Sequence, residues 1–158
     1  MKTPGEWFRL QLQTTAEGII WAIRQLEPDL HLHLPPDPGY MGSWPAARHL
    51  WHVARYERLF ALPAMKVWLG EPLAHVDMWR VEDRDWAIEQ TRGTEAFIED
   101  LRIIRAEQIA LLNQFSDSDW ERIEQTYWGE RPLSMVLIKT YQHTLEHTDA
   151  ILRMALWW

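Results

Sequence analysis

His143 and His147 stand four residues apart near the end of the chain. On a helix that spacing sets them one turn apart and about 40° round the axis, so both imidazoles aim the same way. Such a pair chelates a divalent transition metal. The chain has no cysteine, so any metal must be held by histidine or carboxylate. A single histidine on an apolar face is more often a hydrogen-bonded core residue. Two side by side each need a buried partner, and one shared ion satisfies both. The pair lacks the glutamate of the zincin helix and is a modest signal on its own.

A third ligand must come from elsewhere. His49, Val53, Tyr56 and Phe60 share one helical face, with His52 at its edge and Arg48, Arg55 and Arg58 on the other side. By periodicity His49 serves as well as His52 or better, and spacing does not decide between them. Glu57, five residues beyond His52, is off that residue's face, so a supporting or packing role is expected before a catalytic one. Glu146 borders the ligand face as a weaker general-base candidate, with pairing to Gln142 or Arg153 as its more ordinary use. His31, His33 and His75 fall in proline-containing segments and are expected at the surface or a pocket rim rather than as ligands. The run Arg80 to Arg84 reads as a solvated face. Trp44, Trp51, Tyr56 and Tyr141 are candidates for a pocket wall, although core packing is the commoner fate of aromatics at helical spacing.

The elements that must position these residues are helices joined by irregular segments. Phe8, Leu12, Thr15, Ile19, Ala22 and Leu26 make one face of a first helix that Pro28 stops. Pro28 to Gly42 carries too many prolines and glycines for a helix and reads as an ordered crossover. Ser43 is a fitting N-cap, with Pro45 in the first turn of a second helix running to about Leu62, where Pro63 ends or kinks it. Leu69 to Gly93 is the least defined stretch, a loop and a short helix around Arg84 to Thr91. Thr94 can cap a third long helix with the stripe Phe97, Leu101, Ile104, Gln108, Leu111 and Phe115. A semi-extended passage, Trp120 to Trp128, leads to a last helix beginning near Ser134. That helix has two apolar sides: Val136, Thr140, His143, His147, Ala150, Ile151 and Met154 on one, and Ile138, Tyr141, Leu145, Leu152 and Leu156 on the other. The second side needs a cover, either another part of the chain, as in a helix buried centrally in the bundle, or a partner subunit, and a homodimer is expected.

The 158 residues suit one domain, 1–158, with no repeat or linker dividing it. Sixteen Lys plus Arg against 23 Asp plus Glu give a net charge of -7, which argues against gripping nucleic acid or an anionic membrane through bulk charge. No apolar run approaches a membrane span, and Met1 to Glu6 lead straight into an amphipathic pattern, so a cytoplasmic protein is expected. Eleven tryptophans exceed what core filling needs, which suggests that some line a cavity or interface.

The run from Trp44 to Glu57 resembles the DinB/YfiT-like pattern of a helix-opening Trp, a ligand His eight residues on and a Glu five residues later, here Trp44, His52 and Glu57. Asp119-Trp120-Glu121-Arg122, Gly129, Pro132-Leu133-Ser134 and His143-Thr144-Leu145-Glu146-His147 followed by Ile151 are similar in order and spacing. Thr144, where many relatives carry an acid, and Thr126-Tyr127-Trp128, where many carry a His-containing run, depart from it. The resemblance covers almost the whole chain. It implies an all-α four-helix bundle in up-down-down-up order with long connections, often dimeric. It also implies three ligands, His52, His143 and His147, for zinc, nickel or iron, and thiol-dependent transferases and isomerases among the relatives.

Three neutral imidazoles leave an ion's charge uncompensated and a coordination position open, as in catalytic rather than structural sites. A metal-dependent enzyme acting on a small molecule is therefore expected, either an S-transferase using a low-molecular-weight thiol or a hydrolase. The reading of another class is a non-catalytic, dimeric metal-binding helical module.

Overall fold

The computed structural model describes residues 3–73, 75–76 and 82–158. Four long helical stretches carry the fold: α1 (Pro4–Ile23), α3 (Ala46–Tyr56) continuing into α4 (Leu62–Lys66), α6 (Thr94–Leu112) and α8 (Leu133–Trp157). Between them lie one helical turn, α2 (Pro38–Met41), the short helices α5 (Glu82–Glu89) and α7 (Asp117–Glu121), and a hairpin of β1 (Ile123–Thr126) and β2 (Gly129–Pro132). α8 packs on α1 and α3, and α6 packs on the same two, closing a four-helix bundle with the up-down-down-up order expected.

Helix starts follow from local chemistry. Thr3 accepts from the Glu6 backbone N–H while Glu6 accepts from Thr3, a capping box that leads into Pro4 at the first helical position. Two other starts differ from the sequence reading. α3 begins at Ala46 with Pro45 as N-cap in extended backbone, so Ser43 lies outside the helix. α6 is preceded by Gly93 at φ 79°, and the Thr94 hydroxyl bonds His31 Nδ1 at 3.0 Å instead of capping. His31 is consequently buried, its other nitrogen 3.2 Å from the Leu26 carbonyl, and it ties the crossover to the start of α6. His33 and His75 are exposed, as expected.

Pro63 does not end the second helix. Between α3 and α4 the chain widens into a π turn, Glu57–Ala61, with the Leu62 N–H donating to the Glu57 carbonyl. A proline ring clashes with the carbonyl four residues earlier and offers no N–H, and a wider turn just ahead of it lets the helix continue.

The apolar core is two clusters. One joins Ile19, Ile23, Leu50, Val53, Phe97, Leu101 and Ile151; the other joins Leu12, Met65, Leu111, Leu133 and Leu137. Toward the middle of the bundle each long helical stretch contributes a buried polar residue: Thr15, Glu57, Arg105 and Thr144. Arg105 spends all five N–H donors there. It makes two 2.6 Å bonds to the Glu57 carboxylate, one of 2.6 Å to Thr144 Oγ1, one of 2.7 Å to the Leu12 carbonyl and one of 3.0 Å to Thr15 Oγ1. Burial pushes the Glu57 carboxyl above its ordinary range, opposed by the Arg105 charge and hydrogen bonds.

Candidate metal centre

α3 and α8 face one another, and their histidines meet. His52 Nε2 lies 3.1 Å from His143 Nε2, and His147 Nε2 lies 3.2 Å from the same atom. One ligand atom from each of these three residues falls within 4.8 Å of the others. Ligands at about 2.0–2.1 Å from a tetrahedral zinc sit about 3.3 Å from one another, so this spacing suits a common ion. His49 arrives in the same cluster, its Nδ1 2.8 Å from His147 Nδ1. The two candidates that periodicity left open are therefore both at the site, in different places: His52 at the convergent Nε2 atoms and His49 behind His147.

Hydrogen bonds on the far nitrogens fit the donor set. Glu82 Oε1 is 2.9 Å from His52 Nδ1; a proton there leaves the Nε2 lone pair free to point at the ion. His143 Nδ1 and His49 Nε2 are buried with no hydrogen-bond partner among the described residues. Burial is also the first cause of low basicity here: His49 is lowered to about 4, His143 to about 3 and His147 to about 2, with neighbouring imidazoles adding to each. Neutral rings with converging lone pairs are the form a metal requires.

Aromatic rings close the surroundings. Trp44 lies 5.0 Å from the His52 ring and stacks on His147 at 6.1 Å with a 7° interplanar angle, while Arg48 covers Trp44 at 4.3 Å. The Tyr56 ring is 4.2 Å from His143, and its phenol, buried beside Glu57, is held above the ordinary range first by that burial. Beyond Tyr56 come Phe60 and, from the hairpin turn, Trp128 and Tyr127. Gly129, at φ 84°, supplies the positive φ that this turn needs. Trp44 and Tyr56 thus wall the histidines. Trp51 packs on Trp86 in the core, and Tyr141 is half-buried on the opposite side of α8.

Glu57 is directed at Arg105 and Thr144, and Glu146 is exposed. Among the described residues the carboxylate that touches a histidine of the cluster is Glu82, which the sequence reading placed on a solvated face. Of that run, Arg80 and Val81 lie outside the described residues, Asp83 and Arg84 are exposed, and Glu82 is buried. Trp86, one turn further on and also buried, marks the inward side of α5, and that i, i+4 spacing was the available signal.

Three solved structures have similar shapes at low identity. YfiT from Bacillus subtilis, described as a probable metal-dependent hydrolase with an unusual four-helix bundle topology, is 15% identical with a TM-score of 0.77, over 99% of this chain and 89% of that one. The colibactin self-resistance protein ClbS, solved with double-stranded DNA, is 11% identical with a TM-score of 0.72, over 95% of this chain and 94% of that one. The mycothiol-dependent maleylpyruvate isomerase is 16% identical with a TM-score of 0.72, over 94% of this chain but 61% of that one. No curated protein sequence matches the chain. Among the described residues no helix is long and apolar enough to cross a membrane. The sequence profile of the DinB superfamily matches residues 11–151, and the chain belongs to that superfamily.

Proposed function

We propose that this protein is a metal-dependent enzyme in which His52, His143 and His147 hold one divalent transition metal, zinc, nickel or iron, through their Nε2 atoms. The observation that carries the reading is the convergence of those three atoms at 3.1 and 3.2 Å, with Glu82 placed behind His52. When bound, the ion supplies Lewis acidity at an open position. The chain's own contribution is to keep His143 and His147 neutral by burial, to fix the directions of the three imidazoles through α3 and α8, and to border the open side with Trp44 and Tyr56. The substrate class is a small molecule, and the chemistry is S-transfer from a low-molecular-weight thiol or hydrolysis. The relatives described as a probable metal-dependent hydrolase and a mycothiol-dependent isomerase support both branches.

Protein purified without an affinity tag should carry one metal ion per chain, and His52→Ala, His143→Ala and His147→Ala should each remove most of it. Metal analysis that finds none in the wild type after incubation with zinc, nickel or iron sinks the proposal. Cobalt-loaded protein separates the branches, since a thiolate-to-metal absorption band on adding a small thiol favours the transferase and its absence the hydrolase. The working form is a homodimer covering the outer side of α8, where Ile138, Leu145 and Leu156 are exposed and Tyr141 and Leu152 half-buried. Leu145→Glu should shift the mass in light scattering from two chains to one.

A further inference from the structure

His49 is buried, stands on the metal-facing side of α3, and has no place among the three converging Nε2 atoms. Its Nδ1 lies 2.8 Å from His147 Nδ1, a distance at which one proton is shared between two nitrogens. Only two arrangements of neutral rings satisfy that contact. In one, His147 carries its proton on Nδ1 and donates it to His49, which leaves the His147 Nε2 lone pair free. In the other, His49 donates, and His147 must carry its proton on Nε2, aimed at His143 3.2 Å away. The first presents a metal ligand and the second withholds one.

We propose that His49 is a positioning residue that holds His147 in the ligating tautomer by accepting its Nδ1–H. This rests on the three-histidine metal reading. His49 then carries its own proton on Nε2, the atom that is buried without a partner among the described residues. That buried donor has no partner in this arrangement, a cost offset by the hydrogen bond from His147 and by an ion on the freed His147 Nε2. Trp44, within ring contact of both His49 and His147, fixes the two planes. Glu82 stands in the corresponding position behind His52, so two of the three ligands have a fixed tautomer, one by a carboxylate and one by a neutral ring.

The test is zinc affinity, measured by competition with a chromophoric chelator, for the wild type, His49→Ala and His49→Asn. The Asn side chain can offer an acceptor oxygen where His offers Nδ1. His49→Ala should still bind one zinc per chain but 10–100-fold more weakly, and His49→Asn should recover most of that loss. In zinc-loaded wild type labelled with nitrogen-15 at histidine, the His147 Nδ1 proton should be visible and coupled across the hydrogen bond to His49 Nδ1. Unchanged affinity in His49→Ala overturns the role, and so does loss of the bound zinc altogether, which would make His49 a ligand. Should neither variant fold, a zinc-loaded wild type with no proton on His147 Nδ1 overturns it as well. A wild type that takes up no metal overturns the three-histidine reading itself, an outcome distinct from the others.

Discussion

Two polar clusters both draw on the second helical stretch and α8, and they are built on opposite rules. Around Arg105 every donor is matched: five N–H groups find five acceptors, and the Glu57 carboxylate accepts from both Arg105 and Thr144. Near it, His49, His52, His143 and His147 crowd together with buried nitrogens left over at His49 and His143. Neighbours in sequence belong to different clusters: Tyr56 touches His143 while Glu57 turns to Arg105, and Thr144 joins Arg105 while His143 joins the histidines. A saturated cluster has no capacity for a ligand and acts within the fold. An unsaturated one, held rigid by the first, is where a ligand completes the bonding.

The sharpest way to break that contrast is Arg105→Met. It strands a buried carboxylate and should cost about 3–5 kcal/mol in urea unfolding of the metal-free protein. Combining it with Glu57→Leu should return much of that loss, because the unpaired charge is gone. Metal stoichiometry in both folded variants should stay at one per chain. If Arg105→Met lost metal while keeping its stability, the two clusters would not be separate.

Glu82→Gln probes the other side and should act on the ion rather than on the fold. It keeps an acceptor behind His52 but removes the negative charge, and zinc affinity should fall by something like 10–100-fold. Unfolding of the metal-free chain should change by less than about 1 kcal/mol, as for most substitutions that leave no buried charge unpaired. An equal loss in both measurements would make Glu82 part of the structural cluster.

The most gradual effect is in the pH profile of the metal-free protein. His49, His143 and His147 are lowered to about 4, 3 and 2 in the fold, chiefly by burial, while in the unfolded chain they titrate near the ordinary 6.5. As pH falls below 6.5 the unfolded chain takes up protons that the folded one refuses, so stability must decline from there toward pH 4. Each histidine adds a slope of up to about 1.4 kcal/mol per pH unit. Replacing His143 and His147 together by leucine should flatten the decline. An unaltered slope in urea titrations at pH 7, 6 and 5 would show that these rings do not stay neutral in the fold.

What could be seen in the sequence follows the range of the contacts. His143 and His147 are joined by one helical turn, so their convergence is a local property and was legible. The choice between His49 and His52 depends on how α3 is rotated against α8, across more than ninety residues, and local periodicity carries no record of that. Glu82 was hidden for a related reason, since it faces inward only because α5 is laid over α3, where Arg48 and Arg55 reach its neighbours Asp83 and Asp85. The stripe on α6 was right about Phe97, Leu101, Ile104, Gln108 and Leu111, all of them buried. It left out Arg105 because a charged residue adjoining a stripe normally faces water, and its partner Glu57 is 48 residues away. Helix starts at Ala46 and Thr94 were displaced by a residue or more, because proline and glycine supplied the turn that a Ser or Thr side chain was expected to cap.

The π turn at Glu57–Ala61 makes the second helix a phase coupler as well as a rod. An α-helix advances 100° per residue, so one added residue re-aims everything beyond it by about that angle. Upstream, His52 is set against α8; downstream, Leu62 and Met65 are set into the apolar cluster with Leu111 and Leu137. Deleting one residue from Arg58 to Phe60 would let the segment close into regular helix, and only one of those two halves could then keep its orientation. Length in this five-residue stretch is therefore more tightly constrained than side-chain identity. Exchanging exposed Arg58 changes the surface, whereas removing it misaligns either the metal ligands or the core.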